Sequence, residues 1–184
     1  MQRNKKILNL GCGQKKLEGA VGIDINPNSA ADVIHDLEKF PYPFSDNEFD
    51  EIYADNVMEH FQNVVGVLEE LHRISRNGAV IKIIAPYFRS KWACADPTHK
   101  RFFSVESFAY FDEKYPQCKD YKYSPCRFSV EKIIFNENIK HKGLMKFFQF
   151  PAKLIANKWP LRYENYLSHL IPLDTLTFYL RTAK

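Results

Sequence analysis

Two glycines and an aspartate near the N-terminus have the types and spacing of a ligand-binding turn. Gly11 and Gly13 follow the apolar run at residues 7–10, and Asp24 closes the next β-branched run, Val21-Gly22-Ile23. Glycines at the end of a strand let backbone N–H groups approach a ligand without a Cβ in the way. A carboxylate at the end of the neighbouring strand can accept hydrogen bonds from a ribose diol. Either feature alone is common in structural turns, but the pair predicts a binding crevice.

Two histidines that follow carboxylates are the candidate catalytic residues. His60 comes directly after Glu59, and His99 lies three residues after Asp96. An imidazole with a pKa of about 6.5 could remove a proton from a hydroxyl or amine. His99 could also form part of an acceptor site with nearby aromatic residues, namely Trp92, Phe102 and Phe103. The alternative for both histidines is structural, with side chains that bond the local backbone in capped turns.

The four cysteines indicate neither a disulfide scaffold nor a zinc finger. They are Cys12, Cys94, Cys118 and Cys126, and no two of them form a CxxC pair. Reduced thiols are therefore expected. Cys94, Cys118 and Cys126 could hold zinc together with His99, but their spacing matches no finger pattern. We expect no metal site.

The first half of the chain alternates strands with loops, a pattern typical of parallel sheets. We predict strands at residues 7–10, 21–25, 32–35, 51–54 and 79–84. Apolar residues at helical spacing predict a helix from residue 64, which Asn77 and Gly78 should end. The twelve residues between Gly11 and Asp24 are too few for a strand, helix and strand, so we expect a loop or a single turn there.

The second half is less regular. Ser104 is positioned to cap a helix that runs to about residue 112, and a loop rich in Tyr, Lys and Pro spans residues 115–127. Strands are predicted at residues 128–135 and 176–181. Residues 143–158 predict a helix around Pro151, and they interleave lysines with bulky apolar groups. This segment could pack on the sheet or on a second copy, or lie on an anionic membrane surface.

Length and composition restrict the class of protein. The 184 residues suit one domain, with 1–88 and 89–184 as its two halves, and no apolar run approaches the roughly 20 residues of a membrane-spanning helix. The start of the chain has no signal-peptide pattern, so we expect a cytoplasmic protein.

Residues 1–88 carry 9 Lys and Arg against 13 Asp and Glu, whereas residues 89–184 carry 17 against 9. The basic half contains no RNA-binding motif, so a nucleic-acid partner is not expected.

A succession of motifs resembles a known family. LNLGCG, VGID, ADVIHDL, PYPFSDNEFDEIYADNVMEHF and LHRISRNGAVIKIIAP together resemble the class I S-adenosylmethionine-dependent methyltransferases of the type 11 subgroup over residues 7–86. The resemblance implies a Rossmann-like α/β fold. Its seven-stranded, mostly parallel sheet would have the order 3-2-1-4-5-7-6 with strand 7 antiparallel. The short first loop departs from the common pattern, and it fits a cofactor without phosphate better than NAD.

The resemblance also implies a set of cofactor-binding residues. Gly11, Cys12 and Gly13 would pass under the methionine part, and Asp24, with Ile25 beside it, would hold the ribose hydroxyls. Asp36 and Leu37 would address the adenine, and Asp55 and Asn56 would face the methyl group. For Asp36, Asp55 and Asn56 the alternative role is to cap local turns.

The implied activity is methylation of an oxygen or nitrogen atom on a small molecule or on a sugar or lipid precursor. Two alternatives stay open, an RNA or protein methyltransferase and a module that binds S-adenosylmethionine without turnover. A dinucleotide oxidoreductase is the least favoured interpretation. The oligomeric state is open.

Overall fold

The computed structural model describes residues 4–139 and 145–184. Seven strands form the sheet: β1 (Ile7–Leu10), β2 (Val21–Asp24), β3 (Val33–Ile34), β4 (Phe49–Asp55), β5 (Ser75–Pro86), β6 (Arg127–Phe135) and β7 (Thr175–Ala183). Five α-helices accompany them: α1 (Val64–Ile74), α2 (Lys91–Ala95), α3 (Pro116–Tyr121), α4 (Met145–Lys158) and α5 (Pro160–Tyr166). Short 3₁₀ turns cover Met58–His60 and Ala109–Phe111.

The sheet has the order β3-β2-β1-β4-β5-β7-β6. Strands β1 to β5 pair in parallel, and β7 runs antiparallel to both β5 and β6. The expected order and the antiparallel seventh strand are confirmed. Because β1 to β5 are parallel, their carboxyl ends lie at one edge of the sheet, where ligands bind in open α/β folds.

No helix joins β1 to β2, as the short spacing predicts. The loop between them is tied to the strands by polar contacts, since Asn9 Oδ1 accepts the Leu17 N–H at 2.8 Å and the Asp32 carboxylate pairs with Lys16 at 2.6 Å. The loop therefore has a defined path without a helix, and it leaves the strand ends open.

Helix α1 begins where the apolar pattern predicts and ends earlier. The Asn63 side chain caps its N-terminus by accepting the Gly66 N–H at 2.9 Å. The predicted stop at Asn77 and Gly78 is wrong, because the chain is already extended at Ser75, which pairs with Phe49 of β4. Gly78 keeps the left-handed φ of 77° but lies within β5, next to an irregularity in the pairing with β4.

Two predictions for the second half are also wrong. Residues 104–112 form turns and the 3₁₀ segment rather than a helix, since the Ser104 N–H donates to Ser107 Oγ and Phe108 and Phe111 are buried. The predicted loop at 115–127 contains α3, which has Pro116 in its first turn.

Helix α4 covers the described part of the predicted helix and includes Pro151. Residue 143 lies outside the described residues. Ala152 and Ala156 are buried, whereas Phe147 is 76% exposed and Phe148, Phe150 and Leu154 are exposed as well. The helix thus packs on the protein through small residues, and contact of its aromatic residues with a membrane or a second copy stays a prediction. Among the described residues, no helix has the length and hydropathy to cross a bilayer.

Candidate functional site

The glycine turn after β1 is held against β2. The Gly11 N–H donates to the Ile23 carbonyl at 2.8 Å, and Gly11 and Gly13 have φ angles of 60° and 52°. Such angles strain any residue with a Cβ. A Cβ on Gly11 would also lie 2.9 Å from Val57 Cβ and closer still to Val57 Cγ2. A residue with a side chain at position 11 would therefore be strained by the backbone conformation and would also overlap Val57.

Asp24 ends β2 with its carboxylate fixed by the backbone. Oδ2 accepts the Gly13 N–H at 2.8 Å and Oδ1 accepts the Asn26 N–H at 2.9 Å. The residue is buried. Each oxygen keeps a second acceptor position, since an ionised carboxylate offers about four. The orientation of this carboxylate is thus set before any ligand arrives.

A first cavity of about 320 Å³ lies beyond β2 and β3, and we call it the β2–β3 cavity. Its walls include apolar side chains together with acidic groups, among them Asp24, Ile25, Asp36, Leu37, Val57 and Phe61. Ile25 is 61% exposed, which is unusual for isoleucine and leaves it available to contact a flat ring. Asp36 Oδ1 also accepts the Glu38 N–H at 3.0 Å, so the local capping role holds for one oxygen of this residue.

A second cavity of about 550 Å³, the β1–β4 cavity, is lined by Gly11, Cys12, Asp55, Asn56 and other residues. Asn56 has a φ of 49°, donates its N–H to the Ile84 carbonyl at 2.9 Å, and donates from Nδ2 to Asp55 Oδ1 at 2.7 Å. Partial desolvation raises the pKa of Asp55, although Lys82 and Asn56 oppose the shift.

Sequence reasoning missed Tyr53 and Lys82, which also line the β1–β4 cavity. Lys82 Nζ lies 2.7 Å from Glu137 Oε2, and the Tyr179 hydroxyl donates to Glu137 Oε1 at 2.7 Å. Tyr53 of β4 and Lys82 of β5 are paired on neighbouring strands, so their side chains lie on the same face of the sheet. The position of a lysine in the middle of a predicted strand could have marked Lys82 as a candidate site residue.

A third cavity of about 620 Å³, the β4–β5 cavity, lies beyond β4 and β5 and opens beside the loop that follows α2. Asp55, Asn56, Glu59, His60, Trp92, Asp96 and His99 are among its lining residues. Asn56 lines all three cavities. The three cavities therefore meet at the end of β4.

Glu59, His60 and His99 form a cluster in the wall of the β4–β5 cavity. His99 Nε2 lies 3.9 Å from Glu59 Oε1, and the His60 and His99 ring centroids are 4.8 Å apart at 76°. The main-chain carbonyl of Glu59 accepts the N–H groups of Lys100 and Arg101 at 2.8 and 3.1 Å. These backbone bonds bring the loop that carries His99 onto the turn that carries His60.

The Glu59 side chain is buried and unpartnered. It is 1% exposed, and neither carboxylate oxygen has a hydrogen-bond partner within residues 4–139 and 145–184. Burial raises the pKa of Glu59 to about 7, although the neighbouring His99 opposes the shift. Burial also lowers the pKa of His60, and His99 lowers it further.

Hydrogen bonds define the neutral tautomer of both histidines. His99 Nδ1 bonds the Ala93 carbonyl at 3.0 Å, and a carbonyl can only accept. The Thr98 hydroxyl donates to Asp96 Oδ1 at 2.7 Å, so its oxygen accepts from His60 Nδ1 at 2.9 Å. In both neutral rings Nε2 therefore carries the free lone pair.

The sequence-predicted residues are thus brought together in two groups. Gly11, Cys12, Gly13, Asp24, Ile25, Asp36, Leu37, Asp55 and Asn56 line or support the β2–β3 and β1–β4 cavities, and His60 and His99 line the β4–β5 cavity. The four cysteines are free thiols and belong to no metal-ligand cluster among the described residues. Val57, Phe61 and Thr98 were also missed, since no local motif marks them.

Comparison with known proteins agrees with the fold. The family described as "Methyltransferase domain", type 11, matches residues 8–83. A S-adenosylmethionine-dependent methyltransferase from Archaeoglobus fulgidus superposes with a TM-score of 0.59 at 16% identity, covering 97% of this chain and 86% of its own. One from Mesorhizobium loti gives 0.55 at 12% identity, covering 96% and 90%.

The methyltransferase in the complex with the Haloferax volcanii Trm112 methyltransferase activator gives a TM-score of 0.58 at 14% identity, covering 98% of this chain and 83% of its own. No curated protein sequence matches the chain. At these identities the solved structures establish the fold, and the family match carries the class.

The sheet order and the match to the methyltransferase domain define a class I S-adenosylmethionine-dependent methyltransferase. Residues 8–83 match the type 11 methyltransferase domain, and this match together with the fold identifies the chain as an enzyme that uses S-adenosylmethionine.

The residues present fit this cofactor. Gly11 lines both the β2–β3 and the β1–β4 cavity without a side chain, and the fixed Asp24 carboxylate retains acceptor positions for a diol. The apolar walls of the β2–β3 cavity suit a flat base, and the Asp55 carboxylate in the adjoining cavity suits a cationic group.

Proposed function

We propose that the enzyme methylates an oxygen or nitrogen atom of a small molecule, or of a sugar or lipid precursor. The observation that carries this proposal is the position of the β4–β5 cavity, which meets the other two cavities at Asn56 and has a cluster of ionisable groups in its wall. Its volume of about 620 Å³ is in the range of small-molecule sites.

In this proposal the first two cavities hold the cofactor, which supplies an activated methyl group. Asp24 binds the ribose hydroxyls, and Asp36 and Leu37 bind the adenine edge while Ile25 covers its face. Gly11, Cys12 and Gly13 pass along the methionine part, and Asp55 and Asn56 lie at the junction with the β4–β5 cavity. The alternative roles of Asp36, Asp55 and Asn56 as turn caps are compatible with these contacts.

The acceptor binds in the β4–β5 cavity. The main contribution of the protein to the rate is to hold the acceptor atom aligned with the methyl group at about 3 Å. A hydroxyl acceptor must also lose its proton, and the free Nε2 atoms of His60 and His99 can accept it. An uncharged amine needs no such base.

The test is a screen of metabolite fractions with S-adenosylmethionine labelled in the methyl group. We expect a labelled small molecule or lipid-linked product. For a hydroxyl acceptor, His60→Ala and His99→Ala should each lower kcat by about 10²-fold or more. His169→Ala, which removes an exposed histidine elsewhere, is the matched control.

Other labelled products would overturn the proposed substrate class. Label in RNA or protein, with affinity that falls steeply between 50 and 200 mM salt, would instead indicate a macromolecular acceptor. Cofactor binding without any labelled product would indicate a module without turnover.

A further inference from the structure

We propose that Glu59, His60 and His99 form a binding site for one divalent first-row transition-metal ion of the Zn²⁺ and Mn²⁺ class. One potential ligand atom from each of the three residues lies within 4.8 Å of the other two. The proposal revises our sequence-based expectation of no metal. It rests on the proposed function only for what the ion would do for the acceptor. With the ion bound, both Nε2 atoms are ligands rather than bases, and the ion takes over the task of favouring loss of the acceptor proton.

The Glu59 carboxylate is the first supporting observation. It is almost completely buried, lies in the wall of the β4–β5 cavity, and has no hydrogen-bond partner among the described residues. A buried carboxylate without a partner is strongly unfavourable if it is ionised, so such groups are usually paired or bound to a cation. A metal ion in the cluster would supply the missing partner.

The two histidines are prepared to act as ligands. Nδ1 of His99 is held by the Ala93 carbonyl, and Nδ1 of His60 is held by Thr98, whose hydroxyl is in turn bonded to Asp96. Metal-binding histidines almost always donate their other ring N–H to a carbonyl, a carboxylate or another fixed group. Both Nε2 atoms are left with lone pairs, and His99 Nε2 lies 3.9 Å from Glu59 Oε1.

The ligand types select the kind of ion. Two imidazoles and one carboxylate suit Zn²⁺, Mn²⁺, Fe²⁺ or Co²⁺, whereas Mg²⁺ and Ca²⁺ prefer oxygen ligands alone. Asp96 Oδ2, 4.0 Å from His99 Nε2, is a further oxygen at the rim. Since metal–nitrogen bonds are about 2.1 Å long, the three side chains would draw together by about 1 Å around an ion.

The positively charged side chains next to the cluster are bonded to other groups. Lys100 Nζ is engaged by Glu38 Oε2 at 2.9 Å, and the Arg101 guanidinium bonds the Gln62 carbonyl. With three protein ligands, the ion would keep open positions toward the β4–β5 cavity. There it could hold an acceptor oxygen and favour loss of its proton.

Titration of the chelator-treated full chain with Co²⁺, followed by visible absorption, tests the site. We expect one equivalent of Co²⁺ to bind with a spectrum typical of nitrogen and oxygen ligands. Glu59→Gln and His99→Ala should each weaken Co²⁺ binding by at least 10-fold. His169→Ala, the matched exposed histidine, should bind Co²⁺ as the wild type does.

A thermal measurement guards against variants that fail to fold. Co²⁺ should raise the Tm of the wild type, because the ion binds the folded state, but it should leave the Tm of folded Glu59→Gln unchanged. The proposal is overturned if the wild type binds no Co²⁺, or if Glu59→Gln and His99→Ala bind it equally well. A thiolate absorption band that disappears in Cys94→Ser would also overturn it.

Binding of S-adenosylhomocysteine, measured on the same samples, keeps the two proposals distinct. If the wild type binds S-adenosylhomocysteine but no Co²⁺, the metal-site proposal is refuted and the cofactor assignment stands. The reverse result would leave the metal site in place and count against the cofactor assignment.

Discussion

His99 Nε2 faces Glu59 Oε1 across 3.9 Å, although 39 positions separate the two residues in the chain. The loop after α2 makes this approach possible, since its backbone N–H groups at Lys100 and Arg101 bond the Glu59 carbonyl. The contact places a histidine from the second half of the chain at the end of β4, where the three cavities meet. The residues that we assign to the cofactor and those that we assign to the acceptor are thus joined by backbone hydrogen bonds.

Gly11→Ala should be more destabilising than a glycine replacement at a similar backbone angle elsewhere. Gly19 has a φ of 74° and nothing within 4 Å of its Cβ position, so Gly19→Ala measures backbone strain alone, about 1 to 2 kcal/mol. Gly11→Ala adds the overlap with Val57. Urea denaturation of both variants should show a larger loss of unfolding free energy for Gly11→Ala, and equal losses would contradict the overlap.

Lys82→Met should weaken binding of S-adenosylhomocysteine several-fold and leave adenosine binding unchanged. Lys82 lines the β1–β4 cavity, which we assign to the methionine part, and not the β2–β3 cavity. Adenosine lacks the methionine part, so its affinity reports on the β2–β3 cavity alone. Calorimetry with both ligands is the measurement, and a parallel loss for both would indicate a general structural effect of the variant.

The free energy of unfolding should fall in acid partly through Glu70. Burial opposes its ionised form, but hydrogen bonds from Arg73, at 2.8 Å, and from the Tyr42 N–H, at 2.7 Å, outweigh burial and lower the pKa of Glu70. A depressed folded-state pKa contributes stability that is complete above the unfolded value of about 4.5 and is lost as pH falls through the folded value.

Glu70→Gln should therefore destabilise the protein at pH 7 and show a smaller further loss below pH 5 than the wild type. Glu18→Gln, at an exposed position, is the matched control and should follow the wild-type curve. Chemical denaturation across pH 3 to 7 measures both. A Glu70→Gln curve parallel to that of the wild type would remove Glu70 from the acid response.

The sheet order was predictable only through the resemblance of residues 7–86 to a known family, whereas the first strands and the residues at their ends follow from short local patterns. Strands that are parallel bring their carboxyl ends to one edge, so Gly11, Asp24 and Asn56 had to converge once the strands were assigned. The position of His99 beside Glu59 was not predictable, because it depends on the path of the loop after α2.

The predicted helix boundaries were wrong where contacts with distant parts of the chain outweighed the local sequence preferences. Asn77 and Gly78 have the residue types of a helix end, yet Ser75 pairs with Phe49 and the strand begins before them. Ser104 has the type of a helix cap, yet burial of Phe108 and Phe111 favours turns in that segment.

The cofactor assignment is tested most directly by calorimetry of S-adenosylhomocysteine with the wild type and Asp24→Ala, with Asp120→Ala as an exposed control. Loss of charge-assisted hydrogen bonds of about 1.5 to 3 kcal/mol should weaken binding to Asp24→Ala by about 10- to 100-fold. Asp120→Ala should bind as the wild type does. Unchanged affinity in Asp24→Ala, or tighter binding of NAD than of S-adenosylhomocysteine by the wild type, would contradict the account.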